Sequence, residues 1–175
     1  GATLTTATVG DGFEAATGNY FLAAPTGSGA ASEGVSGLWF IDNSSGSMMA
    51  GLDLPTLNAG WKYEGWVVID GTPLSTGTFT AADVADEAAP FSGTNAGPPF
   101  PGEDFLVNAP AGLTFPTDLQ GRTVVVSIEP SPDNSAAPFA LKPLVKMIPA
   151  GLGVMNVDAM NNNTGASFPL GSVNR

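Results

Sequence analysis

The stretch Trp61–Phe79, WKYEGWVVIDGTPLSTGTF, constrains the fold more than any other part of the chain. Side chains of a strand point alternately to opposite faces. Trp61, Tyr63, Gly65, Val67 and Ile69 therefore share one face, and Lys62, Glu64, Trp66, Val68 and Asp70 share the other. Asp70-Gly71 supplies a tight turn, since glycine takes positive φ without steric cost. Pro73 suits a turn or a strand start, where a missing N–H does no harm, and Ser75–Phe79 returns as the partner strand.

The rest of the chain must be compatible with that hairpin. Its 175 residues suffice for one domain with a sizeable core, and 43% hydrophobic residues exclude wholesale disorder. Gly 23 and Pro 15 make 38 chain breakers, which favours short strands and frequent turns over long helices. Sixteen acids against five bases give a net charge of −11. That sign disfavours nucleic acid and anionic membrane surfaces as partners. Cysteine and histidine are both absent, which removes disulfides, thiol catalysis, imidazole acid–base work and thiolate or imidazole metal sites. No apolar run approaches the roughly 20 residues of a membrane span. Gly1-Ala2 fits either a mature end left after a signal peptide is removed or a cloning scar.

Further strands are predicted at Ala2–Val9, Gly18–Ala23, Gly37–Asp42, Gly121–Glu129, Phe139–Ile148 and Val154–Met160. Gly121–Glu129 is the cleanest buried strand, and Phe139–Ile148 is placed at an edge because Pro143 cannot donate to a central ladder. Thr80–Pro116 reads as a long connection of the kind that often carries function. Within it Ala81–Ala89 is the one predicted helix, with Thr80 as N-cap. Asn161–Arg175 reads as a tail. The pattern predicts a single all-β domain over 1–175, an antiparallel β-sandwich with long Pro/Gly-rich loops and at most one short helix.

Tyr63-Glu64-Gly65-Trp66, Gly71-Thr72-Pro73 and Ser75-Thr76-Gly77-Thr78-Phe79 resemble the extracytoplasmic domain of anti-sigma-K-factor-type proteins. The resemblance continues in Ser127-Ile128-Glu129-Pro130, in Pro132-Asp133-Asn134 and from Lys142 to Pro149, and spans roughly residues 18–149. Tyr20-Phe21-Leu22-Ala23 and Gly37-Leu38-Trp39-Phe40 echo exported single-domain relatives. It implies a non-enzymatic β-sandwich at the cell surface or outside the cell. These 175 residues carry neither a cytoplasmic sigma-binding segment nor a membrane span, so sigma regulation is not carried over.

Oxygen ligands suit calcium, and Asp83, Asp86 and Glu87 lie close in sequence; Glu103-Asp104 and Asp133-Asn134 offer further loop carboxylates. None has EF-hand spacing. Trp39, Trp61 and Trp66 would suit a glycan platform if exposed, but strand placement favours the core. Ser75 and Ser127 have no histidine to activate them, and Lys62, Lys142 and Lys146 show no spacing for a lysine base, so no catalytic residue is assigned. Asn43 and Asn162 begin N-glycosylation triplets. Residues 1–17 and 150–175 lie outside the resemblance and contain strand-like runs, with Leu4, Val9, Val154 and Val157 as their apolar anchors. A strand given to a neighbour's open edge would build polymers. The expected function is therefore an exported structural subunit that self-associates by strand addition. The alternative is a surface-anchored sensory or adhesive domain that binds glycan or depends on calcium.

Overall fold

The computed structural model describes residues 8–169. Two antiparallel sheets face each other across one core. The first is built on β1 (Thr17–Leu22), which pairs with β5 (Leu52–Asp53) at its start, with β11 (Asp158–Ala159) at Asn19 and Tyr20, and with β2 (Gly37–Trp39) at its end. β8 (Gly102–Asp104) extends this sheet beyond β2. The second runs in the order β12 (Asn161–Asn162), β10 (Leu144–Met147), β9 (Thr123–Pro130), β6 (Trp61–Ile69), β7 (Thr72–Phe79). β3 (Ile41–Asp42) and β4 (Met49–Ala50) form a small ribbon. The predicted β-sandwich architecture is present, and among the described residues no helix is long and apolar enough to cross a membrane.

The hairpin forms as its sequence requires. Ile69 pairs with Thr72, leaving Asp70 and Gly71 as a two-residue loop with φ of 49° and 82°. Positive φ at both central positions is the primed turn that matches strand twist. Tyr63, Val67 and Ile69 enter the core with Leu74 and Phe79 of β7 and Val124, Val126 and Ile128 of β9. Tyr20, Leu22, Leu38 and Phe40 meet them from the first sheet. Gly65 is required here, because a Cβ would come within 2.6 Å of the Phe40 ring. A β-bulge beside Gly65/Trp66 lets Ser75 pair with Trp66 while Gly77 pairs with Gly65, so Thr76 is the extra residue.

Several expectations are corrected. Ala81–Ala89 is not helical. The Glu87 N–H donates to the Thr78 carbonyl at 2.9 Å, and the Gly102 N–H donates to Asp86 Oδ2 at 2.9 Å, so this segment is tied to neighbouring strands instead of to its own backbone. One α-helical turn occurs instead at α1 (Thr164–Ser167). Gly37–Asp42 divides at Phe40, whose N–H donates to Pro101 O. Pro143 stands just ahead of β10, which is flanked by β9 and β12 and is not an edge strand. Val154–Met160 is not one strand: Val154 makes an isolated parallel bridge to Leu22, and pairing resumes at Asp158. The described part of the supposed tail is integrated through β12 and α1, and the Asn162 side-chain amide donates to Phe13 O at 2.9 Å and Ala16 O at 3.0 Å. Of the predicted strand Ala2–Val9, only Thr8 and Val9 are described, and they are not in a strand.

The connection 80–116 is a strap. Gly97 and Gly102 lie against the Trp39 ring, where a Cβ would approach to 2.8 and 2.6 Å. Phe100 packs on a second apolar cluster formed by Phe21, Ala23, Trp39 and Ile41.

Candidate carboxylate cleft

The outward face of the second sheet carries polar side chains that are buried. In the β6–β9 register Lys62 stands opposite Glu129, Glu64 opposite Ser127, and Trp66 opposite Val125. All six share the face turned away from the core, because their neighbours Tyr63, Val67, Val126 and Ile128 point inward. Glu64 and Glu129 are thus diagonal neighbours on adjacent strands, close enough for long side chains to meet. The turn after β9 brings Asp133 over them. One carboxylate oxygen each from Glu64, Glu129 and Asp133 lies within 4.8 Å of the others, the one such trio among the described residues. The cleft has a volume of about 300 Å³ and is also lined by Lys62, Glu87, Ser131 and Ser135.

Burial and partners differ within the trio. Glu129 is 1% exposed and Glu64 7%, whereas Asp133 is exposed. Glu129 Oε1 accepts from Ser127 Oγ and, at 2.8 Å, from the Phe139 N–H. Ser127 in turn accepts from Trp66 Nε1 at 2.8 Å. Glu129 Oε2 is buried with no hydrogen-bond partner among the described residues. Glu64 Oε1 accepts from Ser75 Oγ. Burial pushes the Glu64 carboxyl up to about 7; the charges of Glu129 and Asp133 push the same way, and the Ser75 bond opposes them. Lys62 at the cleft's edge is committed to Glu87, with Nζ 2.6 Å from both oxygens, and Thr78 Oγ1 donates to Glu87 at 2.7 Å. These bonds hold the Glu87 carboxyl below its usual range. The three carboxyl groups thus converge with no lysine or arginine paired to any of them among the described residues.

The other acids are arranged differently. Asp83 is exposed, Asp86 accepts from Gly102, and Glu87 is paired with Lys62, so the structure does not bring the sequence-predicted calcium trio together. Glu103 and Asp104 on β8 are fully buried and fully partnered. Asp104 accepts from Thr26 N at 2.7 Å, Thr26 Oγ1 at 2.5 Å and Trp39 Nε1 at 2.8 Å. Glu103 accepts from Ser92 Oγ, Asp104 N and Phe91 N. Burial raises both carboxyls, Glu103 to about 7.

Trp39 and Trp66 are buried, and Trp61 is half-buried with its ring 6.2 Å from Phe139, so they make no shared platform. Ser75 and Ser127 donate to carboxylates, while Lys62, Lys142 and Lys146 are engaged by Glu87, Phe139 O and Asp158. The Asn43 amide donates to Met155 O at 3.1 Å. The Asn162 amide is spent on the carbonyls of the N-terminal turn, which a glycan there would have to displace. Leu4 lies outside the described residues. Val9 is half-buried against the core, Val157 is half-buried, and Val154 is 51% exposed.

Sequence reasoning placed Glu64 on the correct face and quoted Glu129 and Asp133 within a motif, yet did not join them. The available signal was two glutamates on outward positions of otherwise apolar strands, flanked by Trp66 and Val125. No protein-family model, curated protein or solved structure matches the chain on comparison.

Proposed function

We propose that the protein is an exported, non-enzymatic binding module of the cell surface, an anti-sigma-K-like sensory or adhesive β-sandwich that takes a positively charged ligand in the cleft of Glu64, Glu129 and Asp133. The observation that carries this reading is the buried, unpartnered oxygen of Glu129 beside two further carboxylates. A buried acceptor without a donor is costly, and in a native fold it calls for a partner. Thermal shift and calorimetry against divalent cations, spermidine and a lysine-rich peptide test it. At least one should stabilise the wild type and lose that effect in the E64Q/E129Q double variant. If none does, the reading fails.

Self-association is a second reading, supported by a different observation. Met48, Val154 and Met155 are exposed and line one apolar groove with Phe21 and Ala23. The described C-terminal strands pair within their own chain, so this contact would be side chain on side chain, without donation of either of those strands. Light scattering of wild type and M155K measures it: a concentration-dependent oligomer that the variant abolishes is expected, and a wild-type monomer at high concentration removes the reading.

A further inference from the structure

We propose that the cleft is a calcium site in which Glu64, Glu129 and Asp133 supply the carboxylate ligands, and that the bound ion staples the turn after β9 to the β6–β9 face. This inference rests on the cationic-ligand reading above and gives the ligand a chemical class.

The ligand set selects the ion. The chain has no histidine and no cysteine, so the site offers hard oxygen and nothing softer. Calcium takes six to eight oxygens at about 2.3–2.6 Å in irregular geometry, whereas magnesium demands a near-ideal octahedron. A trio drawn from two strands and a turn is irregular. Its oxygens lie within 4.8 Å of one another, a span that one ion at calcium's ligand distances bridges with small side-chain movements. An ammonium group would satisfy the same charge, but Lys62, the lysine lining the cleft, is held by Glu87.

The supports of the ligands are themselves built. Trp66 donates to Ser127, Ser127 to Glu129, and the Phe139 N–H to the same Glu129 oxygen, leaving Oε2 as the free one. Ser75 holds Glu64 in the same way. Asp133 is positioned through Oδ1, which accepts the Ser135 N–H at 3.0 Å. Such donors orient a carboxylate toward its ion. Glu64 and Glu129 come from rigid strands and Asp133 from an exposed turn, so binding ties the turn to the sheet. With one ligand exposed and water completing the shell, the affinity expected is that of extracellular calcium modules, about 10⁻⁴ to 10⁻³ M.

Terbium luminescence sensitised by Trp66 tests the assignment on the intact chain, with calcium as competitor and calorimetry as the direct measure. Wild type should bind terbium, and millimolar calcium should displace it. D133N, which alters an exposed side chain, should weaken calcium at least about ten-fold, and E129Q should abolish binding while circular dichroism shows the fold retained. D83N, in the exposed loop, should bind as wild type. No terbium or calcium binding by wild type at millimolar concentration overturns the calcium site; if spermidine still binds and E64Q/E129Q removes it, the broader reading stands. Calcium binding that survives E129Q and D133N but is lost in D83N also overturns it, since the ion would then lie elsewhere.

Discussion

Two pairs of acidic side chains, one of glutamate and aspartate and one of two glutamates, sit at nearly the same depth in this molecule and are partnered in opposite ways. Glu103 and Asp104 on the strap strand each accept three hydrogen bonds, and no oxygen is left over. Glu64 and Glu129 on the second sheet are almost as buried, yet Glu129 keeps one oxygen with no partner and Asp133 adds a third charge. Depth alone therefore does not distinguish a structural acid from a binding acid. The supply of donors does: a carboxylate whose acceptors are filled is a staple, and one whose acceptors are short has capacity left to meet a cation.

The largest expected effect lies on the strap side. D104A would leave the Thr26 N–H, the Thr26 hydroxyl and the Trp39 indole N–H without their acceptor, at about 1–3 kcal/mol each for groups that stay dry. We expect a loss on the order of 3 kcal/mol or more, read as a lower urea midpoint at unchanged slope. E129Q measured without calcium should stay within about 1 kcal/mol of wild type, because a carboxamide oxygen still accepts from Ser127 and Phe139 and a buried charge is gone. Equal losses in the two variants would erase the distinction between the clusters.

Next in size is protection by calcium. At 100 times its dissociation constant, an ion bound only to the folded state adds about 2.7 kcal/mol. The wild type should gain this at pH 8, and E129Q should gain none. An equal gain in both would place the ion outside the cleft.

The two clusters should also separate by pH. Asp86, raised to about 7 chiefly by burial and also by Glu103's charge, belongs to the strap; Glu64, raised to about 7, belongs to the cleft. A carboxyl raised on folding stabilises fully below its unfolded value and loses that contribution as pH rises through the folded one. Without calcium the melting temperature should fall between about pH 4.5 and pH 7 and then level off. Around Glu64 the facing groups are Glu129, Asp133 and Ser75, with the Lys62–Glu87 pair at the cleft's edge. Calcium should raise the melting temperature at pH 8 and much less at pH 5, where protons compete for the ligands. D86N should flatten part of the descent and leave the calcium response intact. A stability that rises from pH 5 to pH 8 without calcium would contradict the burial assigned to both acids.

How much of this was legible in the sequence follows from which physics is local. The Asp70-Gly71 turn and the inward Tyr63, Val67 and Ile69 are short-range consequences of residue type and alternation, and they stand in the structure as read. Ala81–Ala89 has helical propensity, but tertiary bonds to the Thr78 carbonyl and from the Gly102 N–H claimed its polar groups, and no local pattern records them. The cleft failed to appear for a related reason. Asp83, Asp86 and Glu87 are neighbours in sequence and disperse in space, whereas Glu64 and Glu129 are 65 residues apart and become neighbours through strand register alone. An acid at an outward strand position signals a site only once the register says what stands beside it.

The smallest expected effect separates an orphaned atom from a site. Thr76 Oγ1 is, like Glu129 Oε2, buried without a partner among the described residues. It sits at the bulge of β7, beside Gly65 and near the Phe40 ring, and belongs to no cluster of three acids among the described residues. Nothing there would bind a cation, and the hydroxyl is a pure cost. T76V keeps the shape and the β-branch and removes the unpaired group, so it should stabilise by about 1 kcal/mol, or roughly 2–4 °C in a chain of this size. Calcium binding should be unchanged. If T76V instead weakened calcium as E129Q does, the trio would have no special standing, and the apparent site would be a property of sheet rigidity. If it left calcium alone while raising stability, the difference between the two orphaned oxygens would rest on convergence: Glu129 has Glu64 and Asp133 within 4.8 Å, and Thr76 has apolar neighbours.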